Sequence, residues 1–257
     1  MLARIGNELY WLGRYLARAE HTARMLDGIF HADLQDRLDA AQGLTLSWES
    51  VVAIMGLRDR QHGGRLTPEA RDEVIALLTV DENSPGSILA CVQLAREGAR
   101  AVRDVISAEM WEAMNTFELE LRQQDLSAAL RTGPYSIYQF VKERCALFWG
   151  LAARTMLRDE ARSFLQAGSR IETADMVLRM LRVALPASAS APFADSAVRD
   201  GIGIALLRAT GGVQAYHRSV SDPPSAETVA CFLLFQRSYP RSVAASVAGL
   251  LGALENS

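Results

Sequence analysis

Arg4-Ile5-Gly6-Asn7-Glu8-Leu9-Tyr10-Trp11-Leu12-Gly13-Arg14-Tyr15-Leu16-Ala17-Arg18-Ala19-Glu20-His21-Thr22-Ala23-Arg24-Met25-Leu26 lies near the start of the chain and decides its class. Within it Ile5, Leu9, Leu12, Leu16, Ala19, Ala23 and Leu26 recur in steps of four and three, the spacing that keeps one apolar seam turned toward neighbouring helices. A helix is expected from about Arg4 to Asp33. A turn of about 100° per residue places Asn7, Trp11, Arg14, Arg18 and His21 opposite the seam, flanked by Arg4 and Tyr10. Tryptophan and tyrosine among forked guanidinium groups suit a groove that holds a carboxylate, a phosphate or a partner's acidic helix. The competing reading is a second buried face whose arginines pair with acids on adjacent helices.

The same helical spacing recurs along the chain, and no two alternating runs are joined by an Asn-Gly or Asp-Gly turn. The fold class expected is all-α, a single large helical bundle over residues 1–257. Thr67-Pro68-Glu69 carries a hydroxyl cap, a first-position proline and a first-turn acid, so a helix should run from there to Thr79. Asp81-Glu82-Asn83-Ser84-Pro85-Gly86 interrupts the pattern, which resumes from Ser87 through Arg122 with a joint near Ser107. Gly133-Pro134 ends that segment. From Tyr135 to Leu185 no proline occurs, so one very long helix or two nearly continuous ones are expected. Pro186 to Pro192 reads as a connector, with two or three helices after it, punctuated by Ser221-Asp222-Pro223-Pro224 and Ser238-Tyr239-Pro240.

Bulk composition narrows the partners. Hydrophobic residues make up 49% and charged residues 22%, which is globular usage. The 27 basic and 30 acidic side chains leave a net charge of −3, so nucleic acid is not an expected partner. Lys142 is the single lysine, and the other basic residues are arginines. Cys91, Cys145 and Cys231 are odd in number and each lies in an apolar stretch, so all three are expected buried and reduced, as in a cytoplasmic protein. The N-terminal charges do not fit a signal peptide, and the weakly polar run from Ser242 to Leu254 is too short to cross a bilayer, so no membrane role is expected.

Catalytic and cofactor signatures fail in turn. There is no Gly-x-x-x-x-Gly-Lys loop, no His-Glu-x-x-His, no Cys-x-x-Cys and no Gly-x-Ser-x-Gly elbow, so no cofactor and no catalytic residue is assigned. A second charged cluster comprises Arg96, Glu97, Arg100, Arg103, Asp104, Glu109, Trp111, Glu112 and Asn115. Steps of four from Arg96 to Arg100 to Asp104 make it a helix-face ladder. Glu109 and Glu112 lack the Glu-x-x-His companion of carboxylate metal sites, so no metal is assigned there. One internal similarity stands out: at an offset of 155, Gly13, Ala19, Arg24, Met25 and Leu26 match Gly168, Ala174, Arg179, Met180 and Leu181, and Glu20 meets Asp175. Five identities in 17 positions exceed the chance value of about one and suggest a weak duplication, with units near 4–33 and 159–185.

The run Asn7 to Glu20 resembles the signature of the bacterial alpha-E domain family, helical proteins named for a Glu-Arg motif. Blocks at Ala95 to Asp104, Ile106 to Asn115, Thr155 to Glu160, Ala174 to Met176 and Tyr239 to Val243 follow the same pattern in order, so the likeness covers nearly the whole chain. The resemblance implies an accessory module found beside, or fused to, circularly permuted ATP-grasp ligases and transglutaminase-like proteins that make or attach small peptides. Its Glu-Arg pair stands here as Ala17-Arg18 and again as Glu172-Thr173, and Ser169 occupies an expected arginine position. A non-catalytic partner of an ATP-grasp-type amide ligase tolerates such losses better than a catalytic centre whose groups act together. The expected surface for a partner or an anionic ligand is Asn7, Tyr10, Trp11, Arg14, Arg18, Glu20, Glu109, Trp111, Glu112, Asn115, Glu172 and Asp175. Packing of the two units about a pseudo-twofold axis would pair Arg18 with Glu172. The rivals are an enzyme subunit in which Arg14, Arg18 and Glu20 hold a carboxylate or phosphorylated substrate, and a structural homo-oligomer.

Overall fold

In the computed structural model, which describes residues 1–38, 48–57, 68–125, 128–129, 133–185 and 196–255, every regular element is a helix. In chain order they are α1 (Ala3–Leu38), α2 (Trp48–Met55), α3 (Pro68–Thr79), α4 (Ile88–Ala101), α5 (Ala108–Gln123), α6 (Tyr135–Thr155), α7 (Glu160–Ala184), α8 (Ser196–Thr210), α9 (Val213–Ser219), α10 (Ala226–Phe235) and α11 (Val243–Glu255). The all-α expectation is met. None of these helices is long and apolar enough to span a membrane.

Local chemistry accounts for most boundaries. Ser87 and Ser107 cap α4 and α5 by accepting hydrogen bonds from the backbone of Ala90 and Met110, so the joint expected near Ser107 is a true helix break. The long segment after Pro134 is two helices. They are separated at 156–159, where Asp159 accepts from the backbone N–H of Arg162 and starts α7. Ser225 and Thr228 exchange backbone hydrogen bonds in a capping box at the head of α10. Four helices rather than two or three follow the proline-rich connector, because Gly211, at φ +72, breaks the chain between α8 and α9. The connector from Pro186 to Pro192, and Thr67, lie outside the described residues. The short apolar helix α2 was not anticipated.

The chain forms two compact units, residues 1–23, 75–173 and 246–257 in one and 24–74 and 174–245 in the other. In the first, the seam residues Leu9, Leu12, Leu16 and Ala19 are fully buried. The Cys145 thiol on α6 approaches the Leu16 carbonyl, and Gly98 on α4 brings its backbone against Glu8 and Leu12. Phe117 of α5 meets Phe140 of α6 edge to face at 5.8 Å. In the second unit Ala23's neighbours along α1 continue the seam with Leu26, also fully buried. There the Tyr216 hydroxyl bonds Thr228 at 2.8 Å, and the Tyr239 hydroxyl donates to the Thr210 carbonyl at 2.8 Å, fixing α8, α9 and α10 together.

The expectation for the cysteines holds for Cys91 and Cys145, which are buried, and fails for Cys231, which is exposed. Helix α10 is apolar nearly all round, so its sequence carries no periodic signal of which side meets solvent. Burial pushes the Cys91 thiol up to about 12, the nearby Arg18 charge offsetting only part of that effect. A native-state thiol titration at pH 8 should therefore show one prompt equivalent, abolished by Cys231→Ser, and three after denaturation. Prompt reaction of a second thiol would contradict the packing of α4 and α6.

Candidate functional site

The site begins with two glycines. A Cβ placed on Gly13 of α1 would lie 2.1 Å from the Leu165 carbonyl oxygen, and one on Gly168 of α7 would lie 1.9 Å from the Tyr10 carbonyl oxygen. The contacts are reciprocal at the offset of 155, since residue 10 corresponds to 165 and residue 13 to 168. Next along each helix, Ser169 N and Arg14 N are each 3.1 Å from the opposing glycine's Cβ position. Only residues without a side chain let the two backbones meet this closely. Phe164 closes the same crossing against Gly6.

About one turn beyond the glycines, two arginines of α1 converge on one carboxylate of α7. Arg18 grips Glu172 as a fork, Nε to Oε1 at 2.6 Å and Nη2 to Oε2 at 3.0 Å. Arg14 donates from Nε to Oε2 at 2.7 Å and from Nη1 to the Tyr10 hydroxyl at 3.1 Å. The pairing of Arg18 with Glu172 is thus present as expected. The second guanidinium on the same acid is an addition. Burial pushes Glu172 toward its neutral form, but the hydrogen bonds and charges of Arg18 and Arg14 outweigh it and hold the carboxyl below its ordinary value. Both arginines are in turn held more firmly charged despite their own burial, Arg14 chiefly through Tyr10 and then Glu172, Arg18 through Glu172.

Glu172 is 1% exposed, while the Arg14 and Arg18 side chains retain 16% and 21%. The arginines are therefore neither an open gripping surface nor fully sealed. Two positive charges meet one negative charge, so the trio carries a surplus of one. Arg14 also lies over the Trp11 ring at 5.6 Å, and Trp11 stacks on Tyr15 at 5.4 Å. Trp11, at 37% exposure, is the large apolar side chain that this cluster presents to solvent. The polar face of an isolated α1 helix does not single out Tyr15, which stacks on Trp11, or Cys91 of α4, whose buried thiol feels the Arg18 charge.

The remaining expected residues scatter. Asn7 is exposed on α1, Glu20 is buried, and Asp175 pairs with Arg179 within the second unit. Glu109 and Glu112 are exposed on α5, with no ion pair among the described residues. Arg96 binds Asn115 at 2.9 Å, reaches Glu97 and Glu118, and lies over Trp111 at 5.7 Å, so Trp111 and Asn115 help seat α5 on α4. The expected ladder step from Arg100 to Asp104 is absent, because α4 ends at Ala101 and Arg100 pairs back to Glu97 instead. No three His, Cys, Asp or Glu side chains among the described residues converge as metal ligands.

A family model described as a predicted alpha-helical domain with a conserved ER motif, named Alpha-E, matches residues 1–256. The chain belongs to the Alpha-E family. An uncharacterized protein of Mycobacterium bovis (strain ATCC BAA-935 / AF2122/97) and two of Mycobacterium tuberculosis (strains CDC 1551 / Oshkosh and ATCC 25618 / H37Rv) are each 25% identical over 257 residues. The alignments cover 93% of this Alpha-E chain and 28% of each relative, so the chain spans little more than a quarter of their length. No solved structure matches it. In this Alpha-E domain Arg18 and Glu172 form a cross-helix pair between α1 and α7.

Proposed function

We propose that this Alpha-E chain is a non-catalytic helical partner of an ATP-grasp-type amide ligase, gripped at the Trp11 and Arg14 edge of α1. The observation that carries this reading is the surplus positive charge left when two arginines share Glu172, set directly beneath the solvent-exposed indole of Trp11. Aromatic and arginine side chains clustered in this way are the usual anchors of protein interfaces, and a partner carboxylate would complete the charge balance. The exposed acids Glu109 and Glu112 on α5 offer a complementary contact for a basic partner surface. The length of the mycobacterial relatives supports the same view, since a segment like this one is joined there to a much longer polypeptide. A transglutaminase-like protein is the second candidate partner in the same system.

An enzymatic reading would need Glu20 open to a substrate beside Arg14 and Arg18, whereas Glu20 is buried. The test is co-purification of the tagged chain with an ATP-grasp-type amide ligase from the same genome. Wild type should capture the ligase, and Trp11→Ala should weaken the complex by about 2 kcal/mol, roughly thirtyfold, with an unchanged unfolding midpoint. Failure of the wild-type chain to bind the ligase, or equal binding by Trp11→Ala, would overturn the proposal.

A further inference from the structure

Within the first unit, the bend before α7, the first turns of α7 and the last helix α11 line an open cavity of about 360 Å³, with Arg158, Arg162, Ser163 and Gln166 on one side and Gly249 and Gly252 on the other. This volume falls at the small end of ligand pockets, which run from about 300 to 1,000 Å³. None of its residues belongs to the Trp11 cluster.

Arg158, in the bend before α7, and Arg162, on its first turn, both line the cavity. Neither guanidinium forms an ion pair among the described residues, unlike Arg14, Arg18, Arg96, Arg122 and Arg144. The acid that also lines the cavity, Asp159, has one oxygen engaged by the backbone N–H of Arg162 at 3.2 Å, and its backbone carbonyl accepts the Ser163 hydroxyl. Two cations against one partly occupied acid leave the lining positive. Arg170, two further turns along α7, lies against Gly249, its Nε 2.9 Å from where a Cβ would be.

The glycines of α11 add an independent argument. Glycine inside a helix costs stability relative to alanine, so its presence asks for a reason. At Gly249 the reason is Arg170. At Gly252 a Cβ would meet nothing within 4 Å, so no protein atom demands a glycine there, and the residue faces the cavity.

We propose that the cavity between α7 and α11 binds the phosphoryl or carboxylate group of a small molecule, held by the forks of Arg158 and Arg162 over the smooth floor left by Gly252. The fork of each guanidinium matches two oxygens of such a group, and Gln166 supplies a further donor.

Calorimetric titration of the full chain with inorganic phosphate and, separately, with succinate at fixed ionic strength tests this. Saturable binding to either probe is expected, and the tighter one names the class. Arg162→Gln and Gly252→Leu should each weaken it at least about tenfold, the first by removing a fork and the second by filling the cavity. Gly252→Ala, which suits a helix and leaves most of the space open, should bind within about twofold of wild type. Equal unfolding midpoints for the two glycine variants would show that the contrast comes from the filled cavity and not from a folding defect. Absence of saturable binding to both probes, or binding unaffected by Arg162→Gln and Gly252→Leu, would overturn the proposal.

Discussion

Glu172→Ala is expected to cost about 3–5 kcal/mol of unfolding free energy, the range for removing one partner of a buried ion pair. The loss is large because two guanidinium groups with little access to water would then face one another with no carboxylate between them. Glu172→Gln keeps the shape and one acceptor oxygen, so it should fold and lose about half as much. Acid should act in the same direction. The folded carboxyl titrates below the ordinary glutamate value of about 4.3, so its stabilisation is complete above that pH and disappears as pH falls through the lower folded value. Chemical denaturation between pH 3 and 7 should show a falling acid limb in the wild type that is shallower in Glu172→Gln. An equal limb in both would assign acid sensitivity to other carboxylates.

The second large effect belongs to the crossing itself. Gly168→Ala should cost about 3 kcal/mol, at the top of the range for overpacking, because the added methyl would fall on a backbone carbonyl rather than on a side chain able to move. Gly13→Ala should behave alike, since its Cβ would strike the Leu165 carbonyl. At an exposed helical position the same change would stabilise by about 1 kcal/mol, so the sign itself is diagnostic. Thermal or urea unfolding of the two variants, with Gly150→Ala as a helical glycine that has open space around it, measures the contrast. Stabilisation by Gly168→Ala would mean that the helices do not touch there.

Much of this was legible in the chain. The leucine seam of α1 gives a strong periodic signal, and Leu9, Leu12 and Leu16 are buried where it places them. The offset that aligned Gly13 with Gly168 also placed Arg18 opposite Glu172. The reciprocal positions at that offset, Ala17 and Thr173, carry no charge. Thr173 bonds His21 at 3.2 Å instead.

What was not legible depended on partners that periodicity does not name. Nothing in the spacing of α1 shows that Arg14 and Arg18 would share one acid, because that depends on how far α7 is drawn in by its glycines. The Arg158 and Arg162 wall was passed over for the same reason: its opposite side comes from α11, almost a hundred residues away. The exposure of Cys231 was hidden by a helix whose apolar residues surround nearly its whole circumference.

A double-mutant cycle across the crossing is the most direct test, with Arg18→Ala, Glu172→Ala and the double variant unfolded in urea beside the wild type. A coupling energy of about 2 kcal/mol or more between the two positions is the predicted result, with the double variant more stable than the sum of the single losses implies. Additive losses would contradict it, and would leave Arg18 and Glu172 as two independent side chains rather than the pair that joins α1 to α7.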